Sequence, residues 1–210
     1  MSLGESKSIY YFNSEGRRNL NKTVELVHER AIELGIKNIV VFTANGEGAL
    51  LLKKRFTSDD AVAIHAATFP YKQVFFSKDS EGNPTEKYAE TSNSEVRARI
   101  IQEGINLVQG IMPLQDIILP GTKDVKTLAI NNTLSLLCGG LRLCVQAILM
   151  AVDGGYVEPG ERVIAMSADT AIVAKSCLST WLFHPTEGME ISEIICKPHT
   201  FTITRSSSKE

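Results

Sequence analysis

The stretch NIVVFTANGEGALLLKKR, residues 38–55, decides the fold. Residues 39–42 are an unbroken β-branched and aromatic run without polar alternation, the pattern of a strand covered on both faces in a parallel sheet. The run ends in a turn punctuated by Gly46 and Gly48, and a helix is expected over 47–56. Such a junction presents main-chain N–H groups and the positive end of a helix dipole above the strand, where phosphate is the best-suited guest. Thr43, Ala44, Asn45, Gly46, Glu47 and Gly48 are therefore candidate ligand-binding residues. The glycines admit positive φ and close approach of a ligand to backbone, while Thr43 and Asn45 offer side-chain hydrogen bonds. The turn has no lysine, lacks GxxxxGK[ST] and is not a full GxGxxG, so neither a magnesium triphosphate nor a dinucleotide is implied. Glu47 argues the other way, because a carboxylate in the first helical turn meets the dipole by itself. An ordinary turn capped by Asn45 is the alternative.

Upstream, Leu20, Val24, Val27, Ala31 and Leu34 recur at helical spacing after Asn19, an N-cap candidate, and Gly35 followed by Ile36 closes the helix. Downstream, residues 61–65 read as a second apolar strand that completes a βαβ unit. His65 is then expected at the carboxyl end of that strand, beside the Thr43 turn, where ligands bind in open α/β sheets. There it could bond a phosphate or a ring, or act as a base; a satisfied strand-end histidine is the plain alternative. Residues 66–90 are polar, carry Gly82-Asn83-Pro84 and show no clear period, so a mobile flap or simple disorder is expected.

A helix over 94–102 and a strand over 106–109 precede a break at Pro120-Gly121. Helices over 125–137 and 141–152 follow, with Gly139-Gly140 as their hinge. The second is apolar nearly all round, which calls for burial against the sheet or in a subunit interface. Short strands are expected over 162–166, 170–174 and 191–196. Asp169 and Thr170 would place a carboxylate and a hydroxyl at the same sheet edge as Thr43, with a tight Asp turn as the alternative. Trp181, Leu182 and Phe183 form an apolar cluster that must pack, and the tail RSSSKE is expected to fray.

The 210 residues contain no linker that divides them into comparable halves, so one domain is expected over 1–210: an α/β three-layer sandwich around a mostly parallel sheet. A formal charge of −2 with scattered Lys and Arg excludes the basic stripe of a nucleic-acid binder. Four cysteines without CxxC spacing read as buried, reduced thiols of a cytoplasmic protein. The segment MSLGESKSIYYF lacks the parts of a signal peptide, and residues 141–152 fall short of the roughly 20 needed to span a bilayer, so no membrane role is expected. His184 and His199 have no ligand spacing, and no metal is assigned. GxSxG and a close carboxylate pair are both absent, so no catalytic residue is named.

LNKTVELVHERAIELGIKNIVVFTANGEGALL, GGLRLCVQAILMAVDGGYVEPGERVIAMSADTAIV and ISEIICKP together resemble the stand-alone archaeal and bacterial relatives of the pyruvate kinase C-terminal α/β domain. The resemblance implies that fold, and it implies no kinase activity, because pyruvate kinase chemistry belongs to a barrel domain. In pyruvate kinase the corresponding turn grips a phosphate of an allosteric sugar bisphosphate, and some stand-alone relatives are thought to hold flavin mononucleotide (FMN). This chain departs from the family where Met166-Ser167 leads straight into Ala168-Asp169-Thr170 without a Gly-rich stretch, which removes flexible backbone donors.

The first expectation is thus a binding domain for a phosphorylated small molecule, with FMN as the named cofactor, held at residues 43–48 with His65, Asp169 and Thr170 nearby. The second is a flavin-dependent oxidoreductase with residues 66–90 closing over the ring. The third is a homo-oligomeric scaffold in which the 141–152 helix forms a self-complementary interface.

Overall fold

The structure, a computed structural model, describes residues 4, 6–57, 60–115, 121, 122 and 124–202. Pro120 of the expected break and the tail RSSSKE lie outside the described residues. Nine strands and five α-helices follow one another among the described residues: β1 (Tyr10–Phe12), α1 (Leu20–Leu34), β2 (Asn38–Phe42), α2 (Glu47–Lys53), β3 (Ala63–Thr68), β4 (Val74–Lys78) and β5 (Pro84–Tyr88). The chain continues through α3 (Ser94–Gln102), β6 (Asn106–Gln109), α4 (Val125–Ser135), α5 (Gly139–Asp153), β7 (Arg162–Met166), β8 (Ala171–Lys175) and β9 (Glu190–Pro198).

Seven strands form one sheet in the order β1-β9-β8-β7-β2-β3-β6. β7, β2, β3 and β6 run parallel, and β8 is antiparallel to both of its neighbours. β2 lies mid-sheet, as its unbroken apolar run requires. Ile39 and Val41 face the core under α1, α2 and α3, while Val40 and Phe42 face the core under α5. The resulting helix–sheet–helix sandwich is the expected α/β class.

α1 behaves largely as its spacing predicts, burying Leu20, Val24, Val27 and Ala31. Gly35 closes it, with the Ile36 amide reaching back to the Ala31 carbonyl at 3.0 Å. Asn19 does not cap the helix: it belongs to a 3-10 turn over Arg17–Asn19, and its Nδ2 donates to the Ser14 carbonyl at 2.7 Å. β1, unassigned from sequence, pairs in parallel with β9 along the far edge. Three residues with two exposed tyrosines carry too little periodicity to announce a strand.

The stretch expected as a flap or as disorder carries a hairpin of β4 and β5, beginning six residues past the end of β3. Asp79 organises its tip, where Oδ1 accepts from the amides of Glu81 at 2.9 Å and Asn83 at 2.8 Å. Its root is pinned by an aromatic ladder: Phe75 meets Phe69 edge-on at 4.8 Å, and Phe69 meets Phe42 edge-on at 5.1 Å. The β5 side chains are mostly exposed, so no alternation was available to reveal the strand. Trp181 and Phe183 also depart from expectation, since they remain 45% and 75% exposed and only Leu182 of the trio packs against a core cluster.

Gly139 and Gly140 are not a hinge but the first turn of α5. Eleven of the fifteen α5 residues are buried, so this helix spends its apolar surface on the sheet and α4. Among the described residues no helix is long and apolar enough to cross a membrane. All four cysteines are buried and unpaired, and burial pushes the Cys144 thiol well up and Cys196 up to about 12.

The start of α5 lies so close to the β7–β8 turn that a Cβ at Gly140 would stand 2.2 Å from Thr170 Oγ1 and 2.6 Å from Thr170 Cβ, whereas one at Gly139 meets open space. Gly140→Ala is therefore expected to lower unfolding stability by about 1–3 kcal/mol through overpacking. Gly139→Ala, on the same helical turn, is expected to be neutral or stabilising by up to about 1 kcal/mol. Urea titrations of the two variants check the contrast.

Candidate functional site

In the parallel part of the sheet the chain steps from β2 outward to β3 and β6, then returns to the other side of β2 to lay down β7. The direction of progression reverses between β2 and β7, and the crevice above the carboxyl ends at such a switch point is where open α/β sheets bind ligands. The β2–α2 turn and the Ser167–Thr170 turn after β7 converge there.

Within the first turn, Thr43 is buried and its amide donates to the Ala67 carbonyl at 2.9 Å. Its Oγ1 accepts from the Gly46 amide at 2.9 Å, and Asn45 Oδ1 accepts from the Glu47 amide at 3.1 Å. Two of the amides expected to meet a ligand are thus taken by the turn's own side chains. Gly46 has φ +78°, and a Cβ there would lie 2.6 Å from the Ile100 side chain, so its lack of a side chain serves the packing of α3. Gly48 is buried against Val41 and Leu20. The amides of Ala44 and Asn45 make no hydrogen bond within the described residues, Ala44 is exposed, and the Asn45 side-chain amide is turned to the Glu47 carboxylate.

Glu47 does not point its charge at the helix start alone. Arg17 grips it with two bonds of 2.7 Å, Nε to Oε2 and an Nη to Oε1, and this pairing holds the Glu47 carboxyl below its ordinary range. The neighbouring residue Gly16 donates its amide to Asp169 Oδ2 at 2.7 Å. Asp169 Oδ1 accepts from Thr170 Oγ1 at 3.0 Å and Ser167 Oγ at 3.4 Å, and Thr23 Oγ1 donates to the Ala168 carbonyl at 3.1 Å. Asp169 and Thr170 therefore do reach the Thr43 edge, but as a staple that ties the N-terminal segment and α5 over the turn. Both are buried.

His65 does not join them. β3 continues through Ala66, Ala67 and Thr68, which places His65 opposite Val40 and Asn106, well short of the carboxyl end. Its ring is 1% exposed, with Nε2 2.8 Å from Asn38 Oδ1 and Nδ1 3.2 Å from Asn106 Nδ2. Asn38 Nδ2 in turn donates to Glu161 Oε1 at 2.6 Å. The set is satisfied by a neutral imidazole protonated on Nε2, a tautomer assigned from these partners. The residue at the edge in its place is Thr68, whose Oγ1 lies 2.7 Å from Thr91 Oγ1, while the Thr91 amide donates to the Ala44 carbonyl at 3.0 Å. Extending the second strand past the histidine through two alanines was the signal that could have found it.

Among the described residues no group of three His, Cys, Asp or Glu is arranged to hold a metal. Burial lowers the His65 pKa below its ordinary 6.5, and the Glu161 charge offsets this in part. The native state favours the neutral ring, so its contribution is present above about 6.5 and fades as pH falls through the depressed native value. Urea midpoints measured at about pH 7.5 and 5.5 are expected to fall more for the natural protein than for His65→Gln, because only the former gains a proton on unfolding. Equal losses in the two would show that His65 ionises freely in the fold.

The sequence model of the family described as "Pyruvate kinase, alpha/beta domain" matches residues 21–176, well over half of the chain. Among solved structures, a pyruvate kinase from Cryptosporidium parvum is 15% identical with a TM-score of 0.34, the match covering 76% of this chain and 22% of that one. The same organism's pyruvate kinase in complex with ADP is 14% identical with a TM-score of 0.34, covering 86% of this chain and 24% of that one. The chain thus spans about a quarter or less of the length of the pyruvate kinases it matches.

Proposed function

The chain belongs to the pyruvate kinase alpha/beta domain family, and from that premise we propose that it binds a phosphorylated small molecule at the β2–β7 switch point. The observation that carries the reading is the pair of main-chain amides at Ala44 and Asn45, which have no acceptor among the described residues. Arg17, bonded to Glu47 at the same edge, offsets the carboxylate that would otherwise repel an anion. A phosphate with its oxygens on Ala44, Asn45 and the Arg17 guanidinium takes hydrogen bonds from groups already held in place.

FMN is the ligand we propose to test first, because its phosphate suits the turn and its colour makes binding visible. The reading assigns no catalytic residue and no kinase chemistry. A flavin-dependent reaction is the second reading, favoured by one observation: the β4–β5 hairpin is pinned through Phe69 to Phe42, the last residue before the turn, and so stands over the same edge.

Titration of the protein with FMN, followed by quenching of flavin fluorescence, is expected to saturate and to be reversed by inorganic phosphate. Asn45→Ala removes the side chain that accepts from the Glu47 amide and fixes the turn, and is expected to weaken binding by about 1 kcal/mol, the usual scale of one hydrogen bond. Gly46 is unsuitable for this test because any side chain there strikes Ile100. No saturation by either FMN or phosphate would remove the site. Bound flavin that a nicotinamide cofactor fails to reduce would leave the binding domain and remove the oxidoreductase.

A further inference from the structure

Thr91, Ser92 and Asn93 follow the β4–β5 hairpin, and each fastens a different part of the molecule. Asn93 caps α3, its Oδ1 accepting from the Glu95 amide at 2.7 Å. Ser92 Oγ accepts from the Lys72 amide at 3.0 Å, which ties the residues after the hairpin to those before it. Thr91 reaches furthest inward. It is fully buried, its Oγ1 lies 2.7 Å from the equally buried Thr68 Oγ1 at the end of β3, and its amide donates to the Ala44 carbonyl at 3.0 Å.

That last bond fixes more than a carbonyl. The Ala44 carbonyl and the Asn45 N–H belong to one planar peptide, no cis bond occurring among the described residues, so the two groups point in opposite directions. With the carbonyl held on Thr91, the Asn45 N–H faces away from residues 90–92, and no acceptor among the described residues meets it. A flip of this peptide would turn the carbonyl oxygen outward instead, an acceptor where an anion needs a donor. The rest of the turn does not prevent such a flip. Thr43 Oγ1 and Asn45 Oδ1 hold the amides of Gly46 and Glu47, and neither bond involves the 44–45 peptide group. Among the described residues, the Thr91 amide is the partner that sets its direction.

We infer that Thr91 is the positioning residue of the anion site, a role that rests on the reading of that site proposed above. The buried hydroxyl pair of Thr68 and Thr91 holds the Thr91 main chain against the end of β3, and the Thr91 N–H holds the 44–45 peptide with its own N–H outward. A bound anion and Thr91 then act on opposite ends of one peptide dipole. An anion on the Asn45 N–H polarises the Ala44 oxygen and makes it a better acceptor, so the Thr91 bond tightens as the site fills. Because Thr91 and Ser92 also close the root of the hairpin, the placement of the hairpin and the affinity for the anion are linked.

The test titrates inorganic phosphate into the full chain at constant ionic strength and follows main-chain amide signals by nuclear magnetic resonance. In the natural protein the Asn45 amide is expected to shift and saturate. The Thr91 amide proton, which does not touch the anion, is expected to move downfield along the same curve. Thr91→Val keeps the shape and the main-chain N–H but removes the hydroxyl, and is expected to raise the phosphate Kd at least about fivefold. Thr68→Val removes the same bond from its other side and is expected to match it. Thr91→Ser restores the hydroxyl and is expected to bind within about twofold of the natural protein. Should the valine variants fail to fold, the Thr91 signal of the natural protein decides the matter. A Thr91 signal that stays still while Asn45 saturates, or a Thr91→Val variant that binds as the natural protein does, would overturn the positioning role and leave the anion site standing. An Asn45 amide that never saturates would overturn both.

Discussion

The burial of β2 on both faces is the constraint from which the rest of the molecule follows. Ile39, Val40 and Val41 are all but inaccessible, so helices must cover the strand on each side and parallel neighbours must flank it. Parallel neighbours demand crossovers, and crossovers bring loops together at the carboxyl ends. Since the chain adds β3 and β6 on one side of β2 and β7 on the other, the loops part above β2 and leave the crevice there. The crevice is a by-product of satisfying one apolar strand.

That edge is built with little slack. The turn after β2 consumes two of its own amides, Gly46 makes room for Ile100, and Asp169 joins Gly16 to the β7–β8 turn. The closeness of Gly140 to Thr170 brings the start of α5 onto the same turn from the opposite face. Among the described residues, the main-chain amides of Ala44 and Asn45 are what these internal bonds leave unused.

Elements with strong local patterns were readable. The α1 spacing, the β2 run and the apolar α5 each bury a continuous face, and burial is what hydrophobic periodicity reports. The hairpin escaped because its strands lie mostly in solvent and are held by pairing and by Phe75 on Phe69, neither of which leaves a periodic trace. Trp181 and Phe183 show the complementary error, since large apolar residues need not be buried.

The sequence by itself determined the α/β class, the mid-sheet strand and the turn at residues 43–48, because each depends on residues near one another in the chain. Only the tertiary structure decided which polar atoms remain open. His65 moved from the expected edge to a neutral cage of Asn38 and Asn106 once β3 ran three residues further, and Thr68 took its place. Gln73, Asn131 and Gln146 line one cavity although up to 73 positions separate them, from 73 to 146. Hydrogen-bond satisfaction is a property of the assembled neighbourhood, and no local pattern encodes which partners a distant segment will supply.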